Sequence, residues 1–415
     1  MIDRIVILGG SSVYTPEFIV SALKHNILID ELVLVGKPGR KLDIVSAFCQ
    51  RLVDKNGYAT KIIAETDVAE AVKNASHIIN HVRIGGMKAR LRDEKWPPQF
   101  DMIGSDSLGA GGIANALRTL PVVFDFARVI EEHAPNAILI NLTNPVGVMV
   151  EALSRFTPLK VIGINDLPSV YIRKVAALIG RAPEEIQVNY IGLYDLGWIQ
   201  DVKVDGISRM SQVLDLIDSC EEDDFDYRLI NLFRMIPTRA TGLYFHRQEA
   251  LKQQLSCARF RAEILMDAEK RILKMYANSS LNSVPDLTRQ RNALWYEYTL
   301  TPLLQALESP KPSSMVLCVP NGGAISDLPD YCSVEIPVCV NNKSLKTRKV
   351  GMFPHFLRGM YHAIKESDRL VIEAVRHKSY ECALQALAVN PFVNSVDKAR
   401  EFLNRIMRKD NLELH

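Results

Sequence analysis

Four short stretches of this 415-residue chain hold residues whose types and spacing can do chemistry: 9–15, 83–90, 141–145 and 165–168. The first reads Gly9-Gly10-Ser11-Ser12-Val13-Tyr14-Thr15, between a β-branched run and a helical one. Glycines permit a tight turn there, and free N–H groups at a helix start can hold an anion such as a pyrophosphate. The spacing is not G-x-G-x-x-G, because positions 11 and 14 are Ser and Tyr, and a glycine-rich corner of any α/β protein reads equally well. A dinucleotide site usually carries an acidic residue at the end of the second strand, on the adenosine ribose. Here that strand ends Val35-Gly36-Lys37-Pro38-Gly39-Arg40, without a carboxylate. Lys37 and Arg40 suit a 2′-phosphate, which favours NADP, or they are solvated loop charges. Asn144 sits in a Thr-Asn-Pro run after an apolar strand, where it closes an Asx-turn or offers its amide to a ligand. Arg83 and Arg90 stand beside Asp93 and Glu94, a pattern that also fits a surface ion-pair cluster.

The elements that must position these stretches alternate in type. Runs at 5–8, 31–35, 60–64, 77–82, 137–142 and 159–164 predict strands, and 16–23, 40–56, 67–74 and 117–133 carry helical spacing. Strands separated by helices predict parallel pairing in a doubly wound, Rossmann-like α/β sheet, with ligands beyond the carboxyl ends of the strands. All four stretches fall at those ends. After about residue 168 the pattern changes to a hairpin over 188–204, a mostly helical stretch over 210–276 broken at Pro237, short strands over 315–340 and a helical tail over 353–407. The expected division is a Rossmann-like nucleotide-binding domain over 1–167 and an α+β domain for substrate and oligomerisation over 168–415. The second is expected to lie over the sheet, the two forming one rigid body.

Charge and composition bound the function. Fifty Lys+Arg against 48 Asp+Glu leave no polyelectrolyte surface, so nucleic acid is not an expected partner. No apolar run approaches the ~20 residues of a membrane-spanning helix. The N-terminus runs directly into a strand with no leader pattern. Seven cysteines, odd in number and without a C-x-x-C pair, point to reduced thiols in a cytoplasmic protein and away from a zinc module.

Taken together, several stretches resemble glycoside hydrolase family 4, the NAD- and metal-dependent glycosidases, and most of all its 6-phospho-β-glucosidases. They are GGSSVYTPE (9–17), RIGGMKARLRDE (83–94), MIGSDSLGAGG (102–112) with ALRTLPV (116–122), NLTNPVG (141–147), GINDLP (163–168), GLYDLGW (192–198) and NGGAISDLPDYCSVEIP (321–337). The resemblance implies NAD, a divalent metal such as manganese, a sugar or sugar-phosphate substrate, and a homo-oligomer, dimer or tetramer. It implies oxidation of the sugar at C3, removal of the C2 proton by a tyrosine, elimination of the aglycone, addition of water and re-reduction, a route that differs from two-carboxylate hydrolysis. By position, Gly9, Gly10, Ser11, Ser12, Tyr14, Thr15 and Arg83 would meet the cofactor, and Arg90 and Asn144 the substrate. Asp106 matches an acidic residue near the catalytic tyrosine, and Asp166 an acid toward the leaving oxygen.

The chain departs from that family at its chemical centre. The metal-binding Cys and His become Asn165 and Asp195, two oxygen ligands that a hard cation accepts. The tyrosine position becomes Ala240, with Tyr244 and Tyr194 as candidate substitutes, and an arginine of phosphate recognition becomes Pro320. Two further readings follow: a non-catalytic relative that binds NAD or a sugar phosphate as sensor or partner subunit, and a sugar dehydrogenase keeping only the hydride step. A lactate- or malate-type dehydrogenase shares the nucleotide fold, but no His-plus-Arg substrate motif supports it.

Overall fold

The computed structural model describes residues 1–219, 224–393 and 395–415. Six strands, β1 (Ile2–Leu8), β2 (Ile29–Val35), β3 (Lys61–Glu65), β4 (His77–Asn80), β5 (Ile138–Asn141) and β6 (Lys160–Gly163), pair in parallel in the order β3-β2-β1-β4-β5-β6. That is the doubly wound order of a dinucleotide fold. The runs IVIL (5–8) and LVLV (32–35) are buried at every position, as strands covered by helices on both faces must be.

The second half does not lie over this sheet; it lengthens it. Its strands are β7 (Ile186–Leu193), β8 (Leu196–Val204), β9 (Ile207–Ser208), β10 (Ile236–Pro237), β11 (Ser313–Pro320), β12 (Ser333–Val340) and β13 (Leu345–Thr347). β11 runs antiparallel to β6, and β12, β7, β8 and β10 follow outward in one sheet of thirteen strands. The junction is made by Gly163 opposite Cys318. A Cβ at 163 would lie 2.6 Å from Val150 Cγ2 and 2.9 Å from Cys318 Cβ, so only glycine lets β11 close on β6 over the helix Val146–Phe156. Pairing there also covers an edge that would otherwise present unpaired backbone groups.

Two helical expectations shift. The helix expected over 117–133 starts at Gly109, because Gly111 and Gly112 carry its first turns against the backbone of Asp93, Ser105 and Ser107, where apolar periodicity is silent. The stretch 210–276 breaks into helices Met210–Ser219, Tyr227–Phe233, Arg247–Ser256 and Arg261–Tyr276, with Ile236 and Pro237 forming β10. Residues 220–223 of that stretch, and 394 of the tail, lie outside the described residues. Among the described residues no helix is long and apolar enough to cross a membrane.

Candidate functional site

The carboxyl ends of the strands open into one cleft of about 1460 Å³. At its centre is the glycine turn. Gly9 and Gly10 both donate backbone N–H to the Val35 carbonyl, at 3.0 and 2.8 Å, which folds the chain sharply back over β2. Gly9 has φ +90, and a Cβ there would stand 2.5 Å from the His81 carbonyl oxygen. Gly9, Ser11, Ser12 and Tyr14 line the cleft. Gly10 and Thr15, expected beside the cofactor, are placed behind the turn: Gly10 packs on Leu34, and the buried Thr15 hydroxyl donates to the Gly10 carbonyl at 3.0 Å. Their part is to hold the turn's shape. The cleft runs from Lys37–Lys41 past this turn to Asp106, Asn144 and Asp195, a length and lining that suit a dinucleotide with a second ligand at its far end.

That far end is built on Asp106. Its carboxylate takes Arg83 Nη1 at 2.7 Å, stands 3.7 Å from Arg90 Nη2 and accepts from Asn144 Nδ2 at 3.4 Å. Burial alone would raise the Asp106 carboxyl, but the Arg90 and Arg83 guanidiniums outweigh it and hold the group well below the usual carboxylate range. Arg90 also pairs with Glu94 at 2.6 Å, while Asp93 is taken by Arg118 at the same distance. Both carboxylates are thus ion-paired, but Asp93 and Glu94 are buried and form no surface cluster, and Arg83 and Arg90 face the cleft. Asn144 is fixed from both sides, since its Oδ1 accepts the Tyr194 hydroxyl at 2.7 Å and its carbonyl accepts from Asn115 at 2.9 Å. Burial and the neighbouring Asp195 push the Tyr194 phenol well above its ordinary range, so it stays a donor to Asn144. Tyr244 does not line the cleft; its ring packs 5.1 Å from Phe245 and 5.9 Å from Phe392. Ala240 does line it, so the wall carries a methyl group where a phenol was expected.

Asn165 and Asp195 face each other across the strand ends. Asn165 Nδ2 donates to Asp195 Oδ1 at 3.3 Å, and Ser107 donates to Asp195 Oδ2 at 2.6 Å. The Asn165 amide oxygen is turned the other way, accepting the Leu167 N–H at 3.2 Å. A divalent ion would find one carboxylate already hydrogen-bonded at both oxygens and an amide oxygen facing a helix start. Among the described residues no group of three or more His, Cys, Asp or Glu is gathered to hold a metal. Asn165 and Asp195 offer one amide and one carboxylate, so a hard cation here would need oxygens of the bound sugar to fill its shell.

The same pair of loops carries two carboxyl groups, Asp166 and Asp195, whose ionisation burial opposes. Burial pushes the Asp195 carboxyl up to about 7, against the Ser107 hydrogen bond and with help from the charges of Asp106 and Asp166. Burial also raises Asp166, against the charge of Arg239. Asp195 is aimed by the two-residue turn between β7 and β8, where Tyr194 holds φ +51, an uncommon conformation for a bulky residue.

Sequence reasoning missed three arginines. Arg239, Arg261 and Arg291 line the cleft, and none has an ion-pair partner among the described residues. Arg291 lies between the rings of Tyr14 and Trp295, 5.0 and 4.9 Å from their centroids. Burial, with Arg90 and Arg83 nearby, lowers it to about 10. They come from loops and helix starts far apart in the chain, in no motif, and only the fold brings them together. Pro320 ends β11 and is not part of the lining.

Comparison with known proteins agrees with this geometry. Residues 4–181 match the sequence profile of the family 4 glycosyl hydrolases, and residues 190–393 that of the family's C-terminal domain. The chain is 30% identical over 421 residues to a probable 6-phospho-β-glucosidase of Bacillus subtilis, covering 97% of this chain and 95% of the relative. It is also similar to the solved structure of the Thermotoga maritima 6-phospho-β-glucosidase with NAD and glucose 6-phosphate, at TM-score 0.93, 28% identity and full coverage of both chains. A second structure of that protein holds manganese, NAD+ and glucose 6-phosphate, and matches at TM-score 0.91 and 28% identity over 100% of this chain and 99% of the other.

Proposed function

The chain belongs to family 4 of the glycosyl hydrolases, and from that premise we propose that it cleaves a 6-phosphoglucoside by dinucleotide-dependent oxidation and elimination. The observation that carries this reading is a single cleft holding the glycine turn at one side and Asp106, Arg83, Arg90, Asn144, Asp166 and Asp195 at the other. A bound nicotinamide adenine dinucleotide supplies a hydride acceptor for the sugar's C3 and returns the hydride at the end of turnover. The protein's own residues do the rest.

Arg90 and the unpaired Arg239, Arg261 and Arg291 give the cleft an excess of positive charge that receives and orients a sugar phosphate. Asn144, held by Tyr194 and Asp106, offers its amide to the sugar hydroxyls. Asp166 and Asp195 share the sugar end and oppose each other's ionisation, so they release their protons stepwise as a pair. In the singly protonated state one carboxyl gives its proton to the leaving oxygen at C1, and the other accepts the proton from C2. That role replaces the missing phenol at Ala240.

The test is a chromogenic 6-phospho-β-glucoside incubated with the protein and dinucleotide in deuterated water, without added metal. Aglycone release together with deuterium at C2 is expected; release without C2 exchange would exclude elimination. A second reading, in which the protein holds dinucleotide and sugar phosphate without turnover, is favoured by the methyl group of Ala240 in the cleft wall. Binding of both ligands with neither release nor exchange would establish it.

A further inference from the structure

We propose that the dinucleotide taken by this cleft is the 2′-phosphorylated form, NADP(H), and that Lys37 and Arg40 receive the 2′-phosphate. This rests on the reading of the cleft as a nicotinamide dinucleotide site and names the cofactor more closely. β2 ends at Val35 directly beneath the glycine turn, whose Gly9 and Gly10 N–H groups both reach the Val35 carbonyl. In this fold the adenosine ribose lies over that strand end, and the residues following it read the 2′ position.

An unphosphorylated ribose is usually held by a carboxylate following the second strand, and residues 36–40 after β2 carry none. Gly36 stands at the strand end, and a Cβ on it would meet Ser11 Cβ at 3.0 Å and Leu42 Cδ1 at 3.3 Å, so the glycine turn crowds out a side chain. Glu65, opposite Val35 in the neighbouring strand, bends back to accept the N–H groups of Thr66 and Asp67 at 2.7 and 3.0 Å. Asp67 caps its own helix through the Ala69 N–H at 2.8 Å. Glu269, across the cleft, is paired with Lys41.

What the site offers is positive charge. Lys37 and Arg40 both line the cleft and are exposed, and neither has an ion-pair partner among the described residues. Arg40 opens the sixteen-residue helix Arg40–Lys55, so the positive end of that helix points the same way. A guanidinium fork and an ammonium on one loop match a dianionic phosphate and find nothing to pair with on a bare ribose.

Calorimetric titration of the full chain with NAD+ and with NADP+ tests this. NADP+ is expected to bind at least roughly tenfold more tightly, an advantage that shrinks as salt rises. The Lys37→Ala/Arg40→Ala double variant, altered only at exposed positions, is expected to lose that advantage while its NAD+ affinity stays where it was. Lys37→Asp is expected to turn the preference toward NAD+. Equal or tighter binding of NAD+ by the unaltered protein overturns the proposal and leaves the cleft a dinucleotide site. An NADP+ preference that survives the double variant also overturns it. Uptake of neither nucleotide overturns the reading of the cleft itself.

Discussion

Removing the charge from Asp106 would leave Arg83 and Arg90 facing each other across a poorly hydrated space. Breaking a buried pair by deleting one partner costs about 3–5 kcal/mol, so Asp106→Asn should lower unfolding stability by roughly 3 kcal/mol in a urea titration. The sign with pH follows from the folded carboxyl lying below its unfolded value of about 4. Its contribution is fully present above that value and is lost as pH falls through the folded one, so the variant should show a shallower loss of stability in acid. Asp166 and Asp195 give the opposite limb. Their shared proton is lost as pH rises through about 7, and kcat/KM should fall above that point. Asp195→Asn should remove the limb as well as most of the rate; a profile flat through pH 7 in the unaltered protein would exclude the pair. Of these residues, Asn144 was legible at a strand end and Asp106 and Asp166 only through the family resemblance, whereas Asp195 was read as a metal ligand, because its burial beside Ser107 is set by the fold. Arg291 was not legible, since its place between Tyr14 and Trp295 is set by tertiary contact alone.

At the scale of elements, the parallel half of the sheet was readable from its alternation of apolar runs and helices, because each strand's burial follows from the helices that flank it. The attachment of the second half was not. Whether β11 lies over the sheet or beside it depends on Gly163, whose missing side chain carries no periodic signal. Gly163→Ala forces a methyl group against Val150, Val146 and the partner strand, and overpacking of this kind costs about 1–3 kcal/mol. The loss should appear as a lower urea midpoint, and in the unaltered protein intrinsic fluorescence and circular dichroism should report one transition, as a continuous sheet requires. Separate transitions for the two halves would contradict that continuity. At the glycine turn, Gly9→Ala pushes into the His81 carbonyl at a positive φ, and should abolish dinucleotide uptake while Ser12→Ala, which leaves the backbone alone, reduces it only in part.

The whole molecule is arranged so that one cleft takes lining from both halves of the chain: the glycine turn, Arg83, Arg90 and Asp166 from the first, Tyr194, Asp195, Arg239, Arg261 and Arg291 from the second. Neither half alone surrounds a ligand. A nucleotide seated on the turn would complete one wall of the sugar end, so the two ligands should bind with positive coupling, each raising the affinity of the other by the same factor. The direct test is a calorimetric titration of glucose 6-phosphate into the protein, with and without saturating NADP+. A single site per chain whose affinity rises several-fold when the nucleotide is present is the result this cleft predicts. Absence of glucose 6-phosphate binding under both conditions, or binding that the nucleotide leaves unchanged, would contradict it.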